Sequence, residues 1–194
     1  MAGAVTALPI VAGPILAIIA IEHGREFGDA AARSALLGVV ALAASCVAFA
    51  RTADHGWPAT IAAGWLAYGV VAAALSGVDV PPVVGLVLAM AALLIAAMLL
   101  GPRPPVGPRS PPPSWDLPVR AGLTAVLVLT LTGLAGGLGP AVSGVLTPFP
   151  IATSVMAAFV LAQDGPAALR NLLHGFVRAL PGIALSFLVA AIAL

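Results

Sequence analysis

Residues 81–100 read PPVVGLVLAMAALLIAAMLL, a stretch of twenty residues without a charged side chain. An α-helix rises 1.5 Å per residue, so about 20 apolar residues span the roughly 30 Å hydrocarbon core of a bilayer. A strand of a membrane barrel would instead alternate polar and apolar residues over about ten positions. The stretch therefore predicts a membrane-spanning α-helix.

Six further segments of similar character flank this one. The seven predicted spans are residues 4–21, 29–50, 58–77, 81–100, 119–139, 147–162 and 175–194. The composition agrees, because 61% of the 194 residues are hydrophobic and 8% are charged, whereas a soluble domain carries about 25% charged residues. We predict an all-α polytopic membrane protein with about seven transmembrane helices, surrounded by the lipid bilayer, and not a soluble enzyme.

The long loop between the fourth and fifth predicted spans is rich in proline. Prolines stand at positions 102, 104, 105, 108, 111, 112, 113 and 118. Proline has no N–H to donate and clashes with the preceding helical turn, so the segment favours an extended, polyproline-like linker. Residues 101–118 thus separate a membrane part with four spans, residues 1–100, from one with three, residues 119–194. A plain tether is our interpretation, and a ligand for an SH3-type domain is the alternative.

Arginine is distributed unequally between the two sets of loops. When the spans are numbered alternately, one side collects Arg51, Arg103, Arg109, Arg120, Arg170 and Arg178, and the other holds Arg25 and Arg33. Cytoplasmic loops of membrane proteins carry an excess of basic residues. We therefore expect a multi-pass protein of the bacterial inner membrane, with a cytoplasmic N-terminus and linker and a periplasmic C-terminus.

Two segments of the chain resemble each other. Residues 3–24 read GAVTALPIVAGPILAIIAIEHG, and residues 144–165 read GVLTPFPIATSVMAAFVLAQDG. They share glycine, threonine, Pro-Ile, alanine and a closing glycine in the same order. Five crossings separate them, so they predict an inverted-topology repeat with copies at residues 3–50 and 144–194; coincidence in a biased composition is the alternative. The span at 119–139 precedes only the second copy, so we expect that an ancestral unit had a further helix before residue 1.

The second copy also resembles the GlpM-type family of small bacterial inner-membrane proteins. The matching residues are Gly144, Phe149-Pro150, Gly165 and Ala168-Leu169-Arg170. The resemblance extends over about 119–194 and, more weakly, over 1–50. Family members are single units with a fourth helix after this region, whereas this chain carries a second, divergent unit upstream. The resemblance implies an inner-membrane protein linked to exopolysaccharide (alginate) production, and it implies no catalytic residues.

Prolines inside the repeated spans are the first candidates for a substrate pathway. Transporters with inverted repeats bind substrate near the midplane, at helices that glycine or proline interrupts. The candidates are Thr6, Pro9 and Pro14 in the first copy and Thr147 and Pro150 in the second. We expect Thr6–Pro9 and Thr147–Pro150 to approach each other near the midplane. The alternative is an ordinary kink or a proline in a first helical turn.

Ionisable residues at the span ends complete the candidate set: Glu22, His23, Asp164, Arg170, His174 and Arg178. The last three are spaced i, i+4 and i+8, so they share one helix face. They could bind an anionic substrate or a lipid headgroup at the cytoplasmic mouth, or only anchor the helix at the interface. Glu22, His23 and Asp164 could couple transport to protons, or only end helices in water.

Several function classes are excluded by the sequence. It contains no G-x-S-x-G, H-E-x-x-H or P-loop motif, and with one cysteine and three scattered histidines we expect no enzyme, metal site or cofactor. A net charge of +1 gives no reason to expect nucleic acid. Two functions remain open: a small secondary transporter or flippase-like carrier of a small-molecule or lipid-like substrate, and a non-transporting scaffold or accessory subunit for cell-envelope polysaccharide production. Either could form a homo-oligomer or join an envelope complex.

Overall fold

The computed structural model describes residues 25–105, 115–135 and 149–193. Within these ranges the secondary structure is entirely helical: α1 (Arg25–Thr52), a 3₁₀ helix (Ala53–His55), α2 (Trp57–Leu75), α3 (Pro82–Leu99), α4 (Asp116–Ala135) and α5 (Ile151–Ala193). Four of them, α1, α2, α3 and α5, are long and apolar enough to cross a membrane. The all-helical membrane class is confirmed at this level, while the count of seven spans stays a prediction, since the span at 4–21 lies outside the described residues.

A tight reversal joins α1 to α2. Gly56 has φ +85°, a conformation that side-chain-bearing residues rarely adopt. The hydroxyl of Thr60 lies within hydrogen-bond distance of the carbonyl oxygens of Thr52, at 2.9 Å, and Gly56, at 2.8 Å. Pro58 lies in the first turn of α2, where its missing N–H costs no helical hydrogen bond. The short, closed turn makes the two helices antiparallel neighbours.

Helix α1 is the centre of the bundle. Its apolar stretch is 67% buried, against 17% for α2, 22% for α3 and 28% for α5. Glycines allow its neighbours to approach closely: a Cβ atom on Gly64 would stand 2.0 Å from the ring of Phe49, and one on Gly85 would stand 3.2 Å from Cβ of Leu36. The hydroxyl of Ser45 also donates a hydrogen bond to the Gly64 carbonyl, at 2.7 Å. Small residues at such interfaces are typical of packed membrane helices.

One end of the bundle, which we call the polar end, gathers hydrogen bonds between helix termini. Nε of Arg170 donates to the Ala50 carbonyl, at 3.2 Å, the side-chain amide of Asn171 donates to the Pro104 carbonyl, at 2.7 Å, and the amide of Gln163 donates to Asp116, at 2.6 Å. The polar end therefore contains the α1–α2 turn, residues 101–105, the start of α4 and the middle of α5. Successive helices run alternately toward this end and away from it.

Helix α5 is broken at Gly165, which has φ +81° and ψ −178°. Residues 151–164 run toward the polar end, and residues 166–193 run back from it. The predicted spans at 147–162 and 175–194 left residues 163–174 outside both, but these residues are helical except for Gly165. Pro166 occupies the first turn after the break, where proline is tolerated, and the second segment therefore begins nine residues earlier than we predicted.

The first segment of α5 begins deep inside the bundle. The ring of Phe149, just before α5, lies 5.8 Å from Trp65 and 4.9 Å from Tyr68, measured between centroids. Trp65 and Tyr68 are eight and eleven residues after Trp57, which is about 12 and 16 Å along α2 at 1.5 Å per residue. The start of α5 therefore lies near the middle of the span of α2.

The outer faces of the bundle are apolar. Large exposed hydrophobic side chains occur on α2, α3, α4 and α5, among them Leu66, Val87, Leu94, Leu129 and Val189. Apolar surface of this extent is unusual for a protein in water and is the normal exterior of a helix bundle in lipid.

Candidate functional site

The predicted site residues divide into those that the structure describes and those that it does not. Thr6, Pro9, Pro14, Glu22, His23 and Thr147 lie outside the described residues. The expected approach of Thr6–Pro9 to Thr147–Pro150 therefore stays a prediction. Pro150 is buried at the start of α5, Asp164 is exposed beside the break, and Arg170, His174 and Arg178 follow the break.

The carbonyl of Pro150 is bonded, and a serine supplies one of its partners. The Ser154 backbone N–H donates to it at 2.7 Å, and the Ser154 hydroxyl donates to the same oxygen. Nε1 of Trp65 in turn donates to the Ser154 hydroxyl, at 2.8 Å. Pro150 thus precedes a helix, where its missing N–H is not needed, and the helix start is fastened to α2.

We use the name mid-depth cluster for the residues at this helix start, which are Trp65, Phe149, Pro150 and Ser154. Several buried hydroxyl groups lie in or near this cluster. Ser154 is 2% exposed, and the adjacent Thr153 is also buried. Ser45, which bonds the carbonyl of Gly64, belongs to the neighbouring part of α1. We did not single out these hydroxyls from the sequence; the Thr-Ser pair inside an apolar helix was the signal that could have found them.

Arg170 joins the second segment of α5 to the end of α1. Its guanidinium forms an ion pair with Asp54, whose side chain is 62% exposed. Exposed pairs of this kind contribute about 0.2–1 kcal/mol. Its Nε also bonds the Ala50 carbonyl, one of the last carbonyls of α1, which lack partners within the helix. The contact therefore joins α5 to the end of α1, and its exposed ion pair costs little to break.

His174 has a buried ring nitrogen at this end. Its Nε2 is buried and has no hydrogen-bond partner among the described residues, a situation that costs about 1–3 kcal/mol. Arg103 and Arg178 act on the imidazole electrostatically. Both arginines are exposed, and neither forms an ion pair within the described ranges. The three residues of the predicted face therefore have different partners. Arg170 pairs with Asp54, whereas Arg178 acts, together with Arg103, on His174.

A second polar group fastens α4 to the first segment of α5. The buried carboxylate of Asp116 accepts from Gln163, and Nε of Arg120 lies 2.9 Å from its other oxygen. The guanidinium of Arg120 also stands 4.9 Å from the centroid of Phe159. This arrangement is structural. The sequence gave no sign that Asp116 and Gln163 are partners.

Metal ligands do not cluster in the part of the chain that the structure describes: no group of three or more His, Cys, Asp or Glu side chains could hold an ion there. No protein-family model, curated protein or solved structure matches the chain.

Proposed function

We propose that this protein is a small secondary transporter or flippase-like carrier, with the polar end as one mouth and the mid-depth cluster on its substrate path. One observation carries the proposal: α5 begins near mid-depth, just after Pro150, and is broken at Gly165. Discontinuous helices of this kind form the substrate sites of many secondary transporters. Irregular backbone at membrane depth is tolerated only where protein or a cavity surrounds it.

The polarity of the interior supports the same function. Ser45, Thr153 and Ser154 are all buried polar residues. Ser45 of α1 donates to the Gly64 carbonyl of α2, and Ser154 of α5 accepts from the adjacent Trp65. Polar side chains inside a bundle are costly in lipid and usually mark a pathway or a packing contact. Here they lie beside an interrupted helix, which favours a pathway.

The polar end has the properties expected of a gate. Its closing ion pair, Arg170 with Asp54, is exposed and therefore contributes little stability. The glycine break at Gly165 lies five residues before Arg170, so a small backbone rotation there would move Arg170 relative to α1. We place this end in the cytoplasm, and the protein in an inner membrane, because the arginines concentrate here. The inverted repeat would supply a matching gate on the other side.

A thiol-accessibility experiment tests the proposal. Ser154→Cys, in a Cys46→Ala background, would be treated with a membrane-impermeant thiol reagent in right-side-out and inverted vesicles. We expect labelling from both sides, because a carrier exposes its central site alternately to each. Leu66→Cys is the matched control, as its exposed side chain lies on the outer face of α2, one residue from Trp65, and should stay unlabelled in lipid.

His55→Cys, at the exposed α1–α2 turn, reports reagent access to the polar end. If His55→Cys reacts and Ser154→Cys stays unlabelled from both sides, the interior is sealed and the carrier proposal is wrong. That result would favour the non-transporting scaffold for envelope polysaccharide production, which the GlpM-type resemblance implies.

A further inference from the structure

Positive charge converges on one buried side chain at the polar end. Arg103, from the segment after α3, and Arg178, from the second segment of α5, both act on the imidazole of His174. His174 is 6% exposed, and its Nε2 has no hydrogen-bond partner within the described ranges. Of the acidic side chains at this end, Asp54 is paired with Arg170 and Asp116 with Arg120, and Asp164 forms no ion pair within the described ranges. Two exposed guanidinium groups and a buried ring nitrogen are thus left without an anion.

The backbone holds Arg103 in this position. Pro102, Pro104 and Pro105 surround it, and each fixes its own φ angle, which limits the freedom of the segment. The amide of Asn171 donates to the Pro104 carbonyl at 2.7 Å and so fastens the segment to α5. Asn171 and His174 are spaced i and i+3, on one face of the helix. The same face therefore carries the imidazole and holds the segment that contains Arg103 through Pro104.

We propose that Arg103, His174 and Arg178 form a binding site for a phosphate group, carried by a lipid headgroup or by a soluble molecule. Two guanidinium groups offer paired N–H donors that match the oxygens of a phosphate. Arg103 and Arg178 are the exposed members of the site, and His174 is its buried member. This site rests on the proposed function, because it takes the polar end as the mouth through which substrate enters. It adds that this mouth selects substrates that carry a phosphate group.

Binding to the purified full-length protein in detergent tests the site with two probes. Native mass spectrometry would compare dioleoyl phosphatidic acid with dioleoylglycerol, which differs from it by the phosphate. Calorimetry would compare inorganic phosphate with acetate at constant ionic strength. We expect phosphate-dependent binding in at least one of these two comparisons. Binding of phosphatidic acid alone would assign the phosphate to a lipid, and binding of inorganic phosphate would assign it to a soluble ligand.

Single substitutions test which residues bind the phosphate group. Arg103→Gln and Arg178→Gln should each weaken phosphate binding roughly fivefold to tenfold, because each removes a charged hydrogen-bond donor. Arg51→Gln is the matched control, since Arg51 is exposed at the same end and does not act on His174. Equal losses in all three variants would mean only general electrostatic attraction and would overturn the site.

Two other results would also overturn it: no phosphate-dependent binding in either arm, or acetate binding as tightly as phosphate. The outcome is separable from that of the carrier proposal. If Ser154→Cys is sealed while phosphate still binds through Arg103 and Arg178, the protein binds phosphate without transporting it. If Ser154→Cys is labelled from both sides and phosphate does not bind, the carrier has another class of substrate.

Discussion

Gly64 of α2 has no side chain, and this allows α1 and α2 to pack closely. A Cβ atom there would stand 2.0 Å from Cε1 of Phe49, and the Phe49 ring is fully buried, so it has no solvent-filled space to enter. The carbonyl of the same glycine accepts the Ser45 hydroxyl. Close backbone approach and an interhelical hydrogen bond therefore depend on one residue, as is common where membrane helices pack on small side chains.

Gly64→Ala should destabilise the protein by about 1–3 kcal/mol through overpacking. Thermal unfolding in detergent would measure the loss. Gly69→Ala is the control, because Gly69 belongs to the same helix and a Cβ there meets nothing within 4 Å. Both variants gain the same helix propensity, about 1 kcal/mol, so the difference between them isolates the packing. Equal stability of the two variants would show that Phe49 can move aside at no cost.

At the scale of the element, α5 depends on the backbone conformation of Gly165. A Cβ at this position would meet nothing within 4 Å, so space is not what requires glycine here. The requirement comes from φ +81° with ψ −178°, a region that is essentially restricted to glycine. The break lets α5 leave mid-depth, reach the polar end and return within one helical stretch.

Gly165→Ala and Gly165→Asn should therefore both cost about 1–3 kcal/mol in thermal unfolding. Asparagine tolerates the ordinary left-handed conformation, but that conformation has ψ near +47°, not 180°. Gly175→Ala, in the same helix with open space around it, should be neutral or slightly stabilising. Recovery of stability by asparagine relative to alanine would mean that the turn at residue 165 is an ordinary left-handed one.

Local sequence patterns predicted the uninterrupted spans well and the polar contacts poorly. Residues 81–100 and 58–77 were predicted as spans, and α3 (Pro82–Leu99) and α2 (Trp57–Leu75) agree closely, because apolar runs between prolines and glycines specify helices locally. Residues 163–174 were left outside the spans because they are polar. Some of them bond partners far away in the chain, as Asn171 bonds Pro104, and hydropathy carries no information on such pairs.

In the candidate site, too, local spacing could be predicted from the sequence, but contacts between distant residues could not. The shared face of Arg170, His174 and Arg178 followed from their spacing, because a helix repeats every 3.6 residues. Arg103 was placed in a proline-rich linker without periodicity, so its electrostatic effect on His174 could not be predicted. The contact of Ser154 could not be predicted for a related reason: its partner Trp65 is on another helix, 89 residues earlier in the chain.

For the whole molecule, the unequal distribution of arginine between the two ends predicts how it lies in the membrane. Arg51, Arg103, Arg120 and Arg170 belong to the polar end, whereas the α2–α3 connection at the other end contains Asp79 and no arginine. Since cytoplasmic loops carry the basic excess, the polar end should face the cytoplasm. Alkaline phosphatase, which is active only outside the cytoplasm, should then be active when fused at Val78 and inactive when fused at Arg103. Activity at both positions would contradict a crossing by α3, and the reversed pattern would place the phosphate site on the periplasmic side.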